Sequence, residues 1–383
     1  MKSINKFIAD FLQKKKLAGA HRKLVGIGDG IDFLTNDYLN LSKSSELKLL
    51  LDDELKSRTF KAGSSGSRLL GGNSNYIEEV EEYLAGFYQA EASLILSSGY
   101  QANLAVLSCL PQRGDTVFYD ELSHACMKDG IRLNFAESYS FKHNDYNDLE
   151  RKIEKFGKGR LFIVAESVYS MDGDFVDLKR LVDIAERFDA GIILDEAHTT
   201  AWYGDKGKGL AINEGLENRL LARIYTYGKG PGAHGAVVAG SSELTEFMIN
   251  HSRPFIYTTA PPDHQVALIK CSTLLFSSDY GTQKRNDLHS NMLLFSKIAG
   301  NQDWENEVKI IESNSPIKSI VIPGNDRVEE ACKSLRIKNI EVRPVKSPTV
   351  KKGLERIRIC LHSDNTEKEI IKLIDELKTL NCQ

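Results

Sequence analysis

The alternation of apolar and polar positions from about residue 45 to residue 245 predicts a mostly parallel sheet with crossover helices. Short runs rich in Ile, Val and Leu alternate there with amphipathic stretches. The predicted strands are Ser93 to Leu96, Thr116 to Tyr119, Leu161 to Ala165, Gly191 to Leu194, Ile224 to Thr226 and Ala236 to Ala239, and the predicted helices include Tyr76 to Tyr88 and Leu178 to Phe188. This rhythm indicates a large α/β domain.

The two ends of the chain follow other patterns. Near the N-terminus, apolar residues at helical spacing predict an amphipathic helix: Ile4, Phe7, Ile8, Phe11 and Leu12. After Pro262 a long helical stretch precedes three strand-like runs and a closing amphipathic helix: Ser319 to Ile322, Ile340 to Pro344, Arg356 to Leu361, and Thr366 to Leu380. We therefore expect an N-terminal helix and arm over 1–44, a large domain over 45–262, and a smaller α+β C-terminal domain with its connecting helix over 263–383.

Composition excludes several classes of protein. A net charge of −3 offers no basic excess for a nucleic-acid backbone. The apolar runs are far shorter than the roughly 20 residues of a membrane-spanning helix. The N-terminal pattern is not that of an export signal, and Asp10 argues against a transit peptide, so we expect a cytoplasmic protein.

The cysteines and histidines indicate no metal site. Six cysteines are scattered without a C-x-x-C pair, which argues against both a disulfide framework and a zinc site: Cys109, Cys126, Cys271, Cys332, Cys360 and Cys382. The nine histidines form no H-E-x-x-H cluster. We expect reduced thiols without a special role and no metal.

Polar residues follow several predicted strands directly. Gly99 comes after the strand that ends at Leu96, Ser170 and Asp172 come after the strand that ends at Ala165, and Asp195 and Lys229 come after two later strands. Ligands of doubly wound sheets bind at the carboxyl ends of the strands. These residues therefore describe one cleft.

The segment from Asp195 to His198 reads Asp-Glu-Ala-His, which also occurs in the nucleotide-hydrolysis motif of some helicases. The chain has no G-x-x-x-x-G-K-[ST] element to cradle phosphates, so the helicase reading fails. A buried strand-end carboxylate can instead keep a pyridine nitrogen protonated, which makes the ring an electron sink. A lone aspartate in such a place is more often a helix N-cap or an ion-pair partner.

A lysine lies in the glycine-rich loop from Tyr227 to Gly232. Desolvation in a cleft would lower the pKa of Lys229 and free its amine for a Schiff base, whereas most loop lysines are simply solvated. Thr226 and the helix that begins at Gly99 and Tyr100 could bind a phosphate. Taken alone, Thr226 is more simply an ordinary strand threonine, and Gly99 a turn glycine. His124 could stack on a heteroaromatic ring and His198 could bond to its phenolic oxygen, or both could be structural.

Taken together, these motifs resemble the α-oxoamine synthases, a branch of the fold-type I enzymes that use pyridoxal 5'-phosphate (PLP). The similar stretches cover nearly the whole chain in the family's order: Asn36 to Leu39, Gly63 to Arg68, Ser98 to Asn103, Ser123 to Ala125, Glu166 to Asp174, Asp195 to His198, Thr226 to Gly230, Tyr257 to Pro262 and Gly353 to Ile359. The density of matches outweighs the weakness of each motif taken alone.

The resemblance implies roles residue by residue. Lys229 would be the Schiff-base lysine, Asp195 the partner of the pyridine nitrogen, His198 the contact to the ring oxygen, and His124 the stacking residue. Further PLP contacts are implied for Gly99, Tyr100, Ser170 and Thr226, and for Thr258 or Thr259 from a second subunit. A homodimer with shared active sites is thus implied. Substrate would contact His124, Arg22, Thr349 and Arg358, the last as partner of the amino acid's carboxylate.

Members of this family condense an amino acid with an acyl thioester and release the amino acid's carboxylate as CO2. Within the family we favour L-alanine and a pimeloyl thioester, on coenzyme A or a carrier protein, as in biotin synthesis. This preference rests on the compact length and on the stretches Arg343-Pro344 and Ser347 to Val350. Glycine C-acetyltransferase and serine palmitoyltransferase remain alternative activities, and 5-aminolevulinate synthase is a less favoured one. A binding protein with the PLP fold and no catalysis is an alternative of a different class.

Three departures from the family pattern bear on the substrate. Asn40 stands where glycine is usual, Ala201 closes a Thr-Thr-Ala turn that replaces a glycine-containing one, and His234 stands where a smaller residue is expected. None of the three removes a catalytic group, but each could reshape the acyl channel.

Overall fold

The computed structural model describes residues 2–300, 304 and 309–380. The chain divides into two compact units. The large unit comprises Asn36–Ser170 and Asp174–Asn286, and the small unit comprises Met1–Thr35, Met171–Gly173 and Asp287–Gln383. The domain boundaries expected from the sequence, after residues 44 and 262, stay a prediction.

The strands are β1 (Ile31–Asp32), β2 (Ala92–Leu96), β3 (Thr116–Asp120), β4 (Glu137–Phe141), β5 (Leu161–Glu166), β6 (Ala190–Asp195), β7 (Ala222–Thr226), β8 (Ala236–Gly240), β9 (Lys309–Ile311), β10 (Ile317–Val321), β11 (Ile340–Glu341), β12 (Arg343–Val345) and β13 (Arg356–Cys360). The α-helices are α1 (Lys2–Leu17), α2 (Ser45–Lys56), α3 (Asn75–Phe87), α4 (Gly99–Cys109), α5 (Ala125–Leu133), α6 (Tyr146–Phe156), α7 (Leu178–Arg187), α8 (Leu210–Asn213), α9 (Ser242–His251), α10 (Arg253–Ile256), α11 (Asp263–Ser277), α12 (Asp279–Gly300), α13 (Asn325–Ile337) and α14 (Glu367–Thr379).

The large unit is built on a seven-stranded sheet in the order β2-β8-β7-β6-β5-β3-β4. β8 runs antiparallel to both of its neighbours, and the pairs from β7 to β4 are all parallel. The predicted α/β class and mostly parallel sheet are confirmed. β4 was not predicted, because this edge strand carries exposed polar residues instead of a continuous apolar run.

Two hydrophobic clusters form the core of the large unit. One contains Ile193 with α4 and α5, and the other contains Ile192 and Leu194 with α6 and α7. Successive side chains of a strand point to opposite faces of its sheet, so the two clusters lie on opposite faces. Both faces of the central strands are therefore covered, which leaves their carboxyl ends as the place for polar side chains.

The small unit contains a four-stranded antiparallel sheet in the order β12-β13-β10-β9 and a separate parallel pair, β1 with β11. The prediction of one strand from Ile340 to Pro344 was wrong. That run forms two short strands on either side of Val342, because β11 pairs with β1 while β12 pairs with β13. Such a split depends on distant pairing partners, which local periodicity does not reveal.

The predicted N-terminal helix is confirmed as α1, and the helical stretch after Pro262 forms α11 and α12. The apolar residues of α1 are largely exposed, with Ile4 at 64% and Phe7 at 65%. Among the described residues, no helix combines the length and the apolar character needed to cross a membrane.

Five cysteines fall within the described part of the chain and are buried free thiols: Cys109, Cys126, Cys271, Cys332 and Cys360. Cys382 lies outside the described residues.

Candidate active site

A cavity of about 240 Å³, named the cofactor cavity after its predicted occupant, opens in the large unit at the carboxyl ends of the parallel strands. Seven of the predicted site residues line it: Gly99, Tyr100, His124, Asp195, His198, Thr226 and Lys229. Ser98, Asn103, Cys126, Glu166, Ala197, Gly228, His234 and Gly235 complete its wall. The structure thus brings together residues that the sequence spreads over more than 130 positions.

Asp195 ends β6 and is held through both of its carboxylate oxygens. Oδ1 accepts the backbone N–H of Ala197 at 2.7 Å, and Oδ2 accepts the side-chain amide of Asn103 at 2.7 Å. Asn103 in turn donates to the carbonyl of Gly99 at 3.0 Å. Each oxygen keeps a lone pair for a further donor. A carboxylate fixed in this way is suited to hold a proton on a pyridine nitrogen.

The start of α4 and the end of β7 form a candidate anion-binding site. The Thr226 hydroxyl is buried and has no hydrogen-bond partner among the described residues. Ser98 caps α4, whose first backbone amides have no partner within the helix and therefore favour a phosphate. A Cβ on Gly99 would lie 2.4 Å from the Thr226 methyl carbon, so only glycine leaves room there. The orphaned hydroxyl and this close approach both fit the phosphate of PLP.

The loop after β7 presents Lys229 on the cavity wall, half-buried. The loop closes through a hydrogen bond from the Gly232 N–H to the Lys229 carbonyl at 2.8 Å. A Cβ on Gly230 would lie 2.6 Å from the Thr200 carbonyl oxygen, so glycine is required for the close packing behind the lysine. The predicted need for glycine around Lys229 thus has a steric origin.

His198 lies three residues after Asp195, is buried, and is fixed by aromatic neighbours. The Tyr38 hydroxyl lies 2.7 Å from His198 Nδ1, and the Trp202 indole donates to the His198 carbonyl at 2.5 Å. The predicted contact of His198 with a ring oxygen therefore has a rigid support. No role was predicted for Tyr38 or Trp202 from the sequence.

His124 caps α5 with its own ring. Its Nδ1 accepts the backbone N–H of Cys126 at 3.3 Å and lies 2.9 Å from the Cys126 sulfur. The backbone N–H of His124 donates to Glu166 at 2.6 Å. The ring keeps an exposed edge in the single chain, while surrounding protein atoms and the Lys229 ammonium lower the pKa of His124. His124 is therefore uncharged near neutral pH.

Three residues expected at the cofactor do not line this cavity. Ser170 follows β5 at the edge of the large unit, and Thr258 and Thr259 follow α10 on its surface. Asp172, named with Ser170 from the sequence, belongs to the small unit, where it pairs with the buried Arg356. The roles of Ser170, Thr258 and Thr259 stay predictions.

The small unit holds the other predicted substrate residues. Arg22 donates to the Thr349 hydroxyl at 3.0 Å, and both line a cavity of about 770 Å³. Seven lysine and arginine side chains line this cavity: Lys15, Arg22, Lys23, Lys333, Arg336, Arg343 and Lys346. Glu329 is the carboxylate among its described lining residues. Four of the seven are paired with glutamates: Lys333 with Glu330, Arg336 and Arg343 with Glu341, and Lys346 with Glu329. The positive charge that this cavity offers an anionic ligand therefore comes mainly from Lys15, Arg22 and Lys23.

Arg358 lies on β13, opposite Ser319 of β10 on one side and Arg343 of β12 on the other. It is half-buried and donates to the Cys360 sulfur at 2.9 Å. Its predicted role as the partner of the amino acid's carboxylate stays a prediction.

Two of the departures from the family pattern share a backbone feature. Asn40 has φ of 53° and Ala201 has φ of 75°, the left-handed region that favours glycine. Asparagine tolerates this region, whereas the alanine methyl is strained there. The third departure, His234, is exposed on the wall of the cofactor cavity.

Asn103, Glu166 and Cys126 line the cavity although the sequence analysis gave them no function. Asn103 lies four residues after Gly99 on α4, and a helical side chain leans toward the N-terminus, so the spacing could have indicated it. Glu166 is the last residue of β5, in the same place as Asp195 on β6. Nothing in the sequence distinguished Cys126 from the other cysteines.

Comparisons with known proteins show the family to which the chain belongs. The family described as aminotransferase class I and II matches residues 28–377. The chain is 33% identical over 399 residues to 8-amino-7-oxononanoate synthase of Emericella nidulans, which covers 99% of this chain and 96% of that protein. The structure of 8-amino-7-oxononanoate synthase from Francisella tularensis is similar with a TM-score of 0.76 and 27% identity, over 92% of this chain and 97% of that one.

A serine palmitoyltransferase from S. paucimobilis with a bound PLP–myriocin aldimine has the same fold, with a TM-score of 0.86 and 24% identity over 99% of this chain and 97% of that one. The family match spans most of the chain, and the synthase relative spans nearly all of it. The chain therefore belongs to the class I and II aminotransferase family and, within it, to the α-oxoamine synthases that use PLP.

Proposed function

We propose that this enzyme condenses L-alanine with a pimeloyl thioester to give 8-amino-7-oxononanoate, CO2 and a free thiol. A pimeloyl group ends in a carboxylate, whereas acetyl and palmitoyl groups carry no charge. The observation that carries the choice is the Arg22–Thr349 contact in the cation-lined cavity of the small unit. An uncharged acyl chain gives these cations no partner, whereas a distal carboxylate binds them. The phosphates of coenzyme A would bind them with any acyl group, so the comparison of thioesters described below is what separates the two uses. The full-length relatedness to 8-amino-7-oxononanoate synthases supports the same choice.

PLP, when bound, supplies an aromatic ring that accepts the electron pair of the substrate's Cα. In the proposal Thr226 and the start of α4 bind its phosphate, and Asp195 holds the proton on the ring nitrogen. His198, supported by Tyr38, bonds to the ring oxygen. These residues fix the ring and its protonation state.

Lys229 anchors the cofactor and moves the Cα proton in this proposal, because its amine lies on the same cavity wall as Asp195 and His124. Arg358 binds the carboxylate of the amino acid, and Arg22 with Thr349 binds the distal carboxylate of the acyl chain. The neutral His124 donates a hydrogen bond to the substrate.

The first experiment is a titration of the PLP-loaded enzyme with L-alanine, glycine and L-serine, each with pimeloyl, acetyl or palmitoyl thioester, while thiol release and visible absorbance are followed. Turnover led by alanine with the pimeloyl thioester supports the proposal. Turnover led by glycine with acetyl, or by serine with palmitoyl, overturns the substrate. Lys229→Ala should abolish the visible band of the lysine-linked cofactor. A wild-type protein that never acquires this band would contradict the enzyme and favour a non-catalytic binding protein.

A variant tests the substrate assignment. Arg22→Ala should lower kcat/KM at least about 10-fold for the pimeloyl thioester, since one charge-assisted hydrogen bond is worth about 1.5 kcal/mol or more. The same variant should leave any slow reaction with an acetyl thioester unchanged. Lys368→Ala, on the exposed side of α14, is the matched control. Equal losses with both thioesters would contradict the role of Arg22.

We further propose a homodimer in which Thr258 or Thr259 of one subunit serves the site of the other. Both residues are accessible in the single chain and do not line its own cavity. Mixed dimers test this. Lys229→Ala and a Thr258→Ala, Thr259→Ala double variant should each be impaired, and refolding them together should restore part of the activity. No restoration, or a monomer by light scattering, would contradict it.

A further inference from the structure

Cys126 is the second residue of α5 and is 3% exposed on the wall of the cofactor cavity. Its sulfur lies 2.9 Å from His124 Nδ1, and its backbone N–H donates to the same nitrogen at 3.3 Å. Two groups of one residue thus converge on one ring nitrogen. His124 Nε2 has no partner among the described residues.

The convergence fixes the chemical state of the ring. A nitrogen that accepts hydrogen bonds must present its lone pair, so the proton of a neutral imidazole lies on the other nitrogen. The backbone N–H is always a donor. Burial, together with the negative charge of Asp195, raises the pKa of the Cys126 thiol, so its S–H is also a donor at neutral pH.

We propose that Cys126 is a positioning residue that holds His124 as the neutral tautomer protonated on Nε2. The ring then presents a hydrogen-bond donor to carbonyl and carboxylate oxygens of the substrate. It cannot serve as the base that removes the Cα proton, which leaves that task to Lys229. This division of labour rests on the proposed function, whereas the tautomer itself does not.

The charges that face His124 come from several elements. Lys229 after β7 and Lys128 on α5 oppose protonation of the ring, while Asp195 on β6 and Asp129 on α5 favour it. Glu166 at the end of β5 binds the backbone N–H of His124. Because these groups stay in place when Cys126 is changed, a Cys126 variant isolates the contribution of the thiol.

The test measures the tautomer and the pKa of the His124 ring directly. Imidazole nitrogens are labelled with ¹⁵N, and two-bond proton–nitrogen NMR spectra give the tautomer and the pKa of each histidine in the PLP-free protein. His124→Asn assigns the His124 signals. In the wild type we expect the Nε2–H tautomer. Cys126→Ala removes the S–H donor but keeps the backbone N–H of residue 126, so the Nε2–H tautomer should lose part of its excess over the Nδ1–H tautomer, and the pKa of His124 should rise by about half a unit, the value of one modest hydrogen bond.

Cys126→Ser is the matched variant, because its O–H restores a donor to Nδ1. It should return both the tautomer and the pKa of His124 to those of the wild type. The acid limb of the kcat/KM profile should move with the pKa in the alanine variant and return in the serine variant. An Nδ1–H tautomer in the wild type, or identical spectra in the alanine and serine variants, overturns the proposal. Failure of the proposed substrate would leave the NMR result untouched.

Discussion

Glu166 and Asp195 end neighbouring parallel strands and stand directly opposite each other in the sheet register. Both carboxyl groups line the cofactor cavity, and Glu166 also binds the backbone N–H of His124. Two negative charges so close together and so well buried would repel each other. Burial and the Asp195 carboxylate raise the pKa of Glu166 to about 8. Glu166 therefore keeps its proton at neutral pH.

Glu166→Gln should change how stability depends on pH. The unfolded glutamate releases its proton near pH 4.5 and the folded one near pH 8, so wild-type stability falls as pH rises between these values. Glutamine removes this loss. The free energy of unfolding of the variant should therefore gain on the wild type from pH 5 to pH 8.

Urea unfolding of the PLP-free proteins at pH 5, 6, 7 and 8 measures this difference. Glu154→Gln, at an exposed position of α6, serves as the control and should run parallel to the wild type. A constant difference between wild type and Glu166→Gln over this range would show that Glu166 is ionised in the fold.

Asn103→Ala should weaken PLP binding about 10-fold. The variant removes the amide that donates to Asp195, and a hydrogen bond to a charged group is worth about 1.5 kcal/mol. Asn103→Asp should bind PLP more weakly still, because it adds an acid beside Asp195. Absorbance titrations give the dissociation constants. Asn250→Ala, on the exposed side of α9, is the control, and an unchanged affinity of the Asn103 variants would contradict this support of Asp195.

Much of the cavity could be predicted from the sequence, because its main groups directly follow apolar strands. Asp195 and Lys229 were found in this way. The residue that fixes Asp195 was not predicted, because the Asn103 amide that donates to Asp195 comes from 92 residues earlier in the chain. Glu166 faces Asp195 only through the strand register. Local periodicity also missed β4, whose polar sequence suits a sheet edge, and fused β11 with β12.

Asn40→Ala should be less stable than Asn40→Gly by about 0.5–1 kcal/mol. Asn40 has a left-handed backbone, φ 53° and ψ 35°, at the start of the turn that follows Leu39. Both variants lose the asparagine side chain, so the difference between them reports the strain of a Cβ in this conformation. Thermal unfolding of both variants measures it. Equal stability would mean that the turn relaxes to another backbone shape.

His143 joins two carboxylates of the large unit. Its Nδ1 lies 2.9 Å from Asp120 and its Nε2 lies 2.7 Å from Asp174. Burial opposes a charge on the ring, but the hydrogen bonds to both carboxylates outweigh it and raise the pKa of His143 to about 10. Asp120 is fully buried at the end of β3 and also accepts the backbone N–H of Leu122, so it anchors the loop that leads to His124.

His143→Asn should destabilise the protein by about 3 kcal/mol at pH 6, because it leaves the buried Asp120 without its cation. Because the pKa of His143 is higher in the folded than in the unfolded protein, the protonated ring stabilises the fold fully below the unfolded value, about pH 6.5. This stabilisation is lost progressively up to about pH 10. The difference from the wild type should therefore shrink between pH 6.5 and pH 9. His264→Asn, at an exposed position of α11, should show no such trend in the same unfolding series. A loss independent of pH would mean that His143 stabilises the loop as a neutral ring, through shape and hydrogen bonding alone.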